Sequence, residues 1–245
     1  MSIASLLISR VSHRQLLNGN EVKRESRVKK FVALISALTF LIPSAALANT
    51  KASVNATTLK CAKTKAIPHS TLQVPTPTEI LRKIPSQITF VTNCGNIVIT
   101  PNAKAPVALT AINALALAGY YDKSLCHRLT TSGIYVLQCG DPTASGTGGP
   151  MFTFGNENLP KDVKNNYPAG TVAMANGGPT NLNSNGSQFF FVYADSTLIP
   201  AVYPIWGRIK SGLEIVKAIG KLGTKDGSED NLPKQVIAIE KIVIN

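Results

Sequence analysis

Residues 183–192 read Asn-Ser-Asn-Gly-Ser-Gln-Phe-Phe-Phe-Val (NSNGSQFFFV). Six small or polar residues run straight into three of the eight phenylalanines in the chain. The first half has turn chemistry and the second half has strand chemistry. The reading QFFFVYA (188–194) is therefore a strand that begins at the lip of a turn. A glutamine followed by three aromatic rings at such a lip calls for an explanation beyond core filling.

Outward from this stretch, the same punctuation recurs. ITFVTNCGNIVIT (88–100) predicts two β-branched strands around an Asn-Cys-Gly-Asn turn. LCHRLT (125–130) and IYVLQCGD (134–141) predict two strands joined through Thr-Ser-Gly, TVAMAN (171–176) another, and VIAIEKIVIN (236–245) a closing one. APVALTAINALALAGYY (105–121) predicts a helix with Pro106 in its first turn and Gly119 at its stop. GLEIVKAIGKL (212–222) predicts a second, amphipathic helix. Many short strands with two helices predict a mainly β fold, an antiparallel barrel capped by the helices. No internal repeat is visible.

The 245 residues are 44% hydrophobic and 16% charged, enough for a packed core. The net charge is +12, and residues 1–48 hold seven Lys/Arg against two Glu, leaving +7 spread over the remainder. No Lys/Arg block interleaved with aromatics stands in the globular part, which argues against nucleic acid as a partner. KRESRVKK (23–30), an apolar run FVALISALTFLIP (31–43) and SAALANT (44–50) make a secretory leader, with a cut expected after Ala48. An uncleaved anchor is the alternative, since 31–48 is just long enough to span a bilayer, and it is the one contact with a membrane that the sequence suggests. Either form predicts export, secreted or anchored. Residues 49–85 are rich in Thr, Lys, Ala and Pro and read as a flexible basic linker. The globular domain is expected over 86–245.

Four cysteines, Cys61, Cys94, Cys126 and Cys139, lie beyond the leader, and an oxidising compartment favours disulfides among them. Three pairings are open. No two have zinc-knuckle spacing, so no metal is expected. The glycine-rich ASGTGGP (144–150) lacks the Gly-Lys-Ser/Thr ending of a phosphate cradle, and no cofactor is expected. The Asn-x-Ser/Thr sites at Asn55 and Asn185 read as chance matches.

In order along the chain, TNCG (92–95), AGYYD (118–122), CHR (126–128), QCGDPT (138–143), GTGGP (146–150), AMAN (173–176), NGSQFFF (185–191), IWGRI (205–209) and GLEIVKAI (212–219) resemble a cyclophilin, a peptidyl-prolyl cis-trans isomerase. The resemblance spans about 160 residues and implies a closed antiparallel eight-stranded β-barrel capped by two helices. It implies that Arg128 is the catalytic arginine and that Gln138 supports both the arginine and the substrate. It further implies that the backbone of Asn176, with Gly177, holds the bound peptide, that Gln188 contacts the peptide backbone, and that Phe190 lines the proline pocket. Strand alternation then turns Phe189 and Phe191 to the opposite face, into the core. His127 belongs to the same motif and reads as structural.

Several positions depart from the family pattern. Cys126 stands where a phenylalanine is usual, and RLTTSGIYVLQ is two residues longer than the family spacing. The pocket's Phe and Met therefore fall on Ile134 or Tyr135, and on Val136. Trp206-Gly207 replaces Phe-Gly. Counting back from Trp206, Leu198, with Ile199 next, takes a position often held by Trp, and Tyr203 one often held by His. These departures argue against tight cyclosporin binding.

The sequence thus predicts an exported, monomeric prolyl isomerase acting on proline-containing polypeptides. A non-catalytic proline-peptide-binding module on the same fold is the alternative that the altered loop raises. A basic surface protein for acidic polymers is the other.

Overall fold

The computed structural model describes residues 59–245. The predicted leader and the first residues of the predicted linker lie outside that range. Among the described residues no helix is long and apolar enough to cross a membrane.

The chain enters through a hairpin, β1 (Ile88–Thr92) and β2 (Gly95–Pro101), closed by Asn93 and Cys94. Helix α1 (Pro106–Leu117) follows. No side chain at its start caps it. The amides of Val107 and Ala108 donate instead to the carboxylate of Glu157, at 3.3 and 2.7 Å. Those amides have no partner within the helix, and an acid placed there also meets the positive end of the helix dipole. Strands β3 (Ser124–Leu125), β4 (Arg128–Thr130), β5 (Val136–Cys139), β6 (Thr171–Met174), β7 (Phe189–Val192) and β8 (Ile205–Ser211) come next. Helix α2 (Leu213–Leu222), β9 (Asp230–Asn231) and β10 (Ala238–Ile244) complete the chain.

All strand pairs are antiparallel and form one ten-stranded sheet in the order β3-β10-β1-β2-β8-β6-β7-β5-β4-β9. This corrects the expected closed barrel of eight strands. The ends of the order, β3 and β9, do not pair with each other. The two extra strands are two-residue pieces, too short to leave a periodic pattern in the sequence. Only Cys126 and His127 separate β3 from β4. The Cys126 amide donates to Ile237 O and the His127 amide to Gln138 O, so one short segment switches partners from β10 to β5.

The inner face of the sheet holds an aromatic cluster. Phe90 lies 5.5 Å edge-on from Phe191, Phe189 lies 5.3 Å from Phe191, and Trp206 lies 5.9 Å from Phe189. All four rings are buried. Edge-to-face pairs of this kind add about 0.5–1.5 kcal/mol each beyond the area they bury. Leu109, Ile112 and Leu115 of α1 and Val216 and Ile219 of α2 close over the same core.

Residues 59–85 carry no helix or strand, yet they are not the free linker their composition suggested. Cys61 is bonded to Cys94 in the β1–β2 turn, and Cys126 to Cys139. The Ala62 amide donates to Asn93 O, the His69 amide to Pro142 O, and Thr64 Oγ1 to Glu240. Val74 is buried in the core. The segment is a strap in which a disulfide and scattered backbone bonds replace the ladder of a strand. Asn185 is fully buried with its side chain bonded to Phe154 O and Asn156, so the Asn-x-Ser match there is no glycan acceptor.

Candidate active site

Four strands lie side by side in the order β4-β5-β7-β6, and their registers place Arg128 opposite Gln138, Gln138 opposite Phe190, and Phe190 opposite Ala173. Side chains directly across a sheet share a face. One residue along, Leu129, Leu137, Phe191 and Val172 form the next row and point into the aromatic core. The alternation assigned to the three phenylalanines from sequence holds: Phe189 and Phe191 join the main core, and Phe190 joins a second cluster with Val136, Tyr167 and Val192.

That second cluster opens as a pocket of about 130 Å3. Apolar walls come from Ile134, Val136, Phe190 and Leu198, with Tyr203 beside them and Arg128 and Gln138 at the rim. The Phe190 ring meets Tyr203 edge-on at 5.6 Å. Tyr203 is in turn held by Tyr167, whose hydroxyl donates to Tyr203 O at 3.0 Å and accepts from the Tyr203 amide at 3.1 Å. Tyr167 itself is fully buried, and burial pushes its hydroxyl pKa far above the ordinary tyrosine value.

A chain of hydrogen bonds crosses the floor. Arg128 Nη1 donates to Gln138 Oε1 at 3.0 Å, and Gln138 Nε2 donates to Gln188 Oε1 at 2.8 Å. Gln188 Nε2 then donates to Gly146 O and Gly148 O at 3.0 and 2.9 Å. Each amide is oriented by the next, so the Arg128 side chain is coupled to the glycine-rich loop. On its other side Arg128 makes a two-pronged pair with Asp230: Nε to Oδ1 at 2.7 Å and Nη2 to Oδ2 at 2.6 Å. That hydrogen bonding, more than anything else around it, holds the guanidinium pKa above its ordinary value.

The glycine-rich loop is organised from within. The buried Asp141 carboxylate accepts the amides of Thr143, Ser145, Gly146 and Gly148. Burial alone would raise its pKa, but the Thr143 hydroxyl and these amides outweigh burial and hold it below the usual carboxylate value. The amides that could have cradled a phosphate are occupied by an internal acid. A side chain at Gly148 would collide with Asp141, a Cβ there lying 2.0 Å from Oδ1. His127, beside this loop, is buried with neither ring nitrogen bonded among the described residues. Burial lowers its pKa, with Asp141 opposing.

Asn176 sits where the pocket meets a larger polar cleft of about 470 Å3 that also touches Gln138, Gly148, Gly177 and Gln188. Its side chain is spent on structure: Nδ2 donates to Val202 O at 2.7 Å, and Oδ1 accepts the Gly178 amide at 2.9 Å. Pocket and cleft share Gln138, Ala175 and Asn176, and so form one continuous groove.

Of the residues singled out from sequence, Arg128, Gln138, Asn176, Ile134, Val136, Phe190, Leu198 and Tyr203 converge on the pocket, and Gly177 and Gln188 on the cleft. Two do not. Tyr135 points the other way, against Tyr193 at 5.9 Å, because its neighbours Ile134 and Val136 both face the pocket. Ile199 is 58% exposed and lines neither pocket nor cleft. The sequence reading missed Asp230, Ala175 and Tyr167. A faint signal for Asp230 existed: three of the chain's 13 acids, Asp226, Glu229 and Asp230, crowd five positions of a basic chain. Among the described residues no cluster of three or more His, Cys, Asp or Glu could hold a metal.

Comparison with known proteins places the groove in context. Residues 87–244 match the family model of cyclophilin type peptidyl-prolyl cis-trans isomerases. The chain is 42% identical over 170 residues to a probable peptidyl-prolyl cis-trans isomerase B of Mycobacterium tuberculosis, covering 64% of this chain and 54% of that protein. It is 34% identical over 145 residues to a peptidyl-prolyl cis-trans isomerase-like 1 protein of Emericella nidulans, covering 58% of this chain and 85% of the relative. The chain thus spans about half the length of the mycobacterial relative. A crystal structure of a Cryptosporidium parvum cyclophilin type isomerase, obtained in the presence of the dipeptide Ala-Pro, superposes with a TM-score of 0.56 at 27% identity. The match covers 65% of this chain and 98% of that one.

Proposed function

Because the chain belongs to the cyclophilin-type peptidyl-prolyl cis-trans isomerase family, we propose that it catalyses rotation about X-Pro peptide bonds, as a monomer acting on proline-containing polypeptides outside the cytoplasm. One observation carries this reading: an apolar pocket of about 130 Å3 has a guanidinium with unused donors at its rim. An arginine has five N–H donors. Arg128 commits three of them to Asp230 and Gln138, which leaves two.

Rotation about a peptide bond faces a barrier of roughly 18–20 kcal/mol because the amide must lose its resonance. As the bond twists, the proline nitrogen pyramidalises and regains a lone pair. A fixed cationic donor beside that nitrogen stabilises the twisted state more than either planar one. Arg128 supplies such a donor. The walls of Ile134, Val136, Phe190 and Leu198 hold the ring and keep water from competing for it. Asn176 and Gln188 hold the chain on either side of the proline. The Asn176 side chain locks the turn so that its own backbone lines the groove, and the Gln188 amide group is already fixed by Gly146 and Gly148. No bond is made or broken, and the groove needs no acid, base or nucleophile.

The location outside the cytoplasm is supported by the basic-apolar-small pattern of residues 23–50 and by two disulfides, which persist in oxidising compartments. There the natural role would be to speed proline-limited folding of exported chains.

The test is isomerisation of a short Ala-Pro peptide by the purified chain beside Arg128→Ala. Wild type is expected to accelerate it. The substitution should lower kcat/KM by about 10²–10³-fold, the usual loss for one transition-state donor. Peptide binding should persist in both. Binding without acceleration by the wild type would replace the enzyme with a proline-peptide-binding module. Fractionation that finds the native chain only in the cytoplasm would remove the exported role.

A further inference from the structure

Arg128 is half-exposed, and a long exposed side chain ordinarily samples several rotamers. Here it does not stand alone. Both acceptor atoms of Asp230 face it in a side-on fork, one to Nε and one to Nη2. Asp230 comes from β9, which pairs with β4 through Leu129↔Asn231 and Thr130↔Asp230. Its partner is thus two residues diagonal to it across the ladder, a distance that long side chains bridge.

The hairpin that carries Asp230 is braced by hydrogen bonds of its own. The Asp226 carboxylate accepts the amide and hydroxyl of Ser228 at 3.0 and 2.7 Å and also takes a hydrogen bond from Asn231. The Lys225 amide donates to Leu232 O at 2.8 Å, and the Thr131 amide donates to Glu229 O at 2.8 Å. The brace fixes where the Asp230 carboxylate sits before any substrate arrives.

We propose that Asp230 is a positioning residue for the isomerase reaction, holding the Arg128 guanidinium in the plane that aims its two remaining donors across the proline pocket. The inference rests on the reading of Arg128 as the transition-state donor. An exposed ion pair contributes little to stability, about 0–1 kcal/mol. Its value here is geometric: Nε and Nη2 are anchored on one edge by Asp230, and Nη1 is anchored on the other by Gln138. Two anchors at opposite edges define a plane, whereas Gln138 alone leaves the group free to pivot about one bond. A displacement of about 1 Å in a reacting group costs on the order of 100-fold in rate. Peptide binding depends on the apolar walls and should be insensitive to the same displacement.

The experiment compares wild type, Asp230→Asn and Asp230→Glu in the full chain. Asn keeps the shape of the side chain but removes its charge and turns an amide NH2 towards one of the arginine's donors. Expected for Asn is a fall in kcat of about ten-fold or more with the peptide Kd unchanged within two-fold, and for Glu a partial recovery. The Arg128 Nε–H resonance, displaced and slow to exchange in wild type, should move to the position of a solvated guanidinium in the Asn variant alone, while the backbone amide spectrum stays that of wild type. Wild-type kcat in the Asn variant overturns the inference, as does a loss that appears in Kd instead of kcat. If wild type itself fails to accelerate isomerisation, the enzyme reading falls. The Nε–H signal then judges the positioning separately, an unshifted resonance in the Asn variant overturning it.

Discussion

Two rows of the same sheet lie one residue apart and have opposite fates. Arg128, Gln138, Phe190 and Ala173 line up across β4, β5, β7 and β6 on the groove side. Leu129, Leu137, Phe191 and Val172 line up beside them and are buried in the main core. Both rows contain a phenylalanine from the same FFF run, yet one ring fills space and the other borders it. Identical side chains acquire different work from a two-residue period alone. A slip of one residue in β7 would exchange them, and the Gln188 turn with its bonds to Gly146 and Gly148 guards against that slip.

Truncating each ring separates the rows most sharply. Phe191→Ala should cost about 3–5 kcal/mol of stability, the usual range for a fully buried phenylalanine, because its ring packs on Phe90, Phe189 and their neighbours with no open side. Phe190→Ala should cost less, since its ring already faces an open pocket, and should instead raise KM for an Ala-Pro peptide. Urea unfolding and peptide kinetics on the two variants decide the matter. Equal stability losses with equal KM values would erase the distinction between the rows.

The two disulfides make a second, smaller contrast. Cys61–Cys94 fastens the strap to the first hairpin, and no residue of 59–85 lines the pocket or the cleft. Cys126–Cys139 flanks Arg128 on one strand and Gln138 on the next. Removing either bridge as a double Cys→Ala variant should lower stability by about 2–4 kcal/mol. Only loss of the second should also lower kcat, because only it holds the segment carrying the arginine. A strap-bridge variant with impaired kcat at a temperature where it remains folded would mean that the strap reaches the groove after all.

Much of the groove was legible because it is encoded locally. CHR, QCGD, AMAN and NGSQFFF each occupy a few consecutive residues, and alternation sorts the three phenylalanines without any tertiary information. What escaped was non-local. Asp230 reaches Arg128 across 102 positions from a two-residue strand with no hydrophobic pattern. The choice of Ile134 over Tyr135 as a pocket wall depends on how the longer Thr131–Gly133 loop is absorbed, through a bridge between Ser132 and Ile134, and composition does not report that. The strap misled for a related reason. Frequent prolines exclude a ladder, but a disulfide, a few backbone bonds and Val74 suffice to fix a chain without one. Ile199 was carried along as the neighbour of Leu198, but the chain bends at Ile199 and Pro200 and leaves its side chain exposed.

The last contrast lies beside the groove, between two buried ionisable groups, Asp141 and His127. Burial would raise the pKa of Asp141, but the Thr143 hydroxyl and the amides of Gly148, Thr143 and Gly146 outweigh it, so its folded pKa lies below the ordinary value. The unfolded chain binds that proton more readily, so the contribution of Asp141 to stability is present above about pH 4 and is lost as pH falls below it. His127 has a folded pKa lowered chiefly by burial, so the folded state resists protonation that the unfolded state accepts. Its contribution is complete above about pH 6.5 and begins to fall away below that value. Both groups therefore destabilise the fold on acidification, but in separate windows. Asp141→Asn should lower stability at pH 7 by about 1–3 kcal/mol, the cost of leaving buried donors poorly paired, and should flatten the acid limb below pH 4. His127→Gln should leave that limb intact and remove the slope that begins below about pH 6.5. Urea midpoints at half-unit pH intervals for the three proteins resolve the two windows. A wild-type profile flat from pH 7 to pH 5 would show that His127 takes up its proton without penalty, and that the space around its ring is wetter than its burial implies.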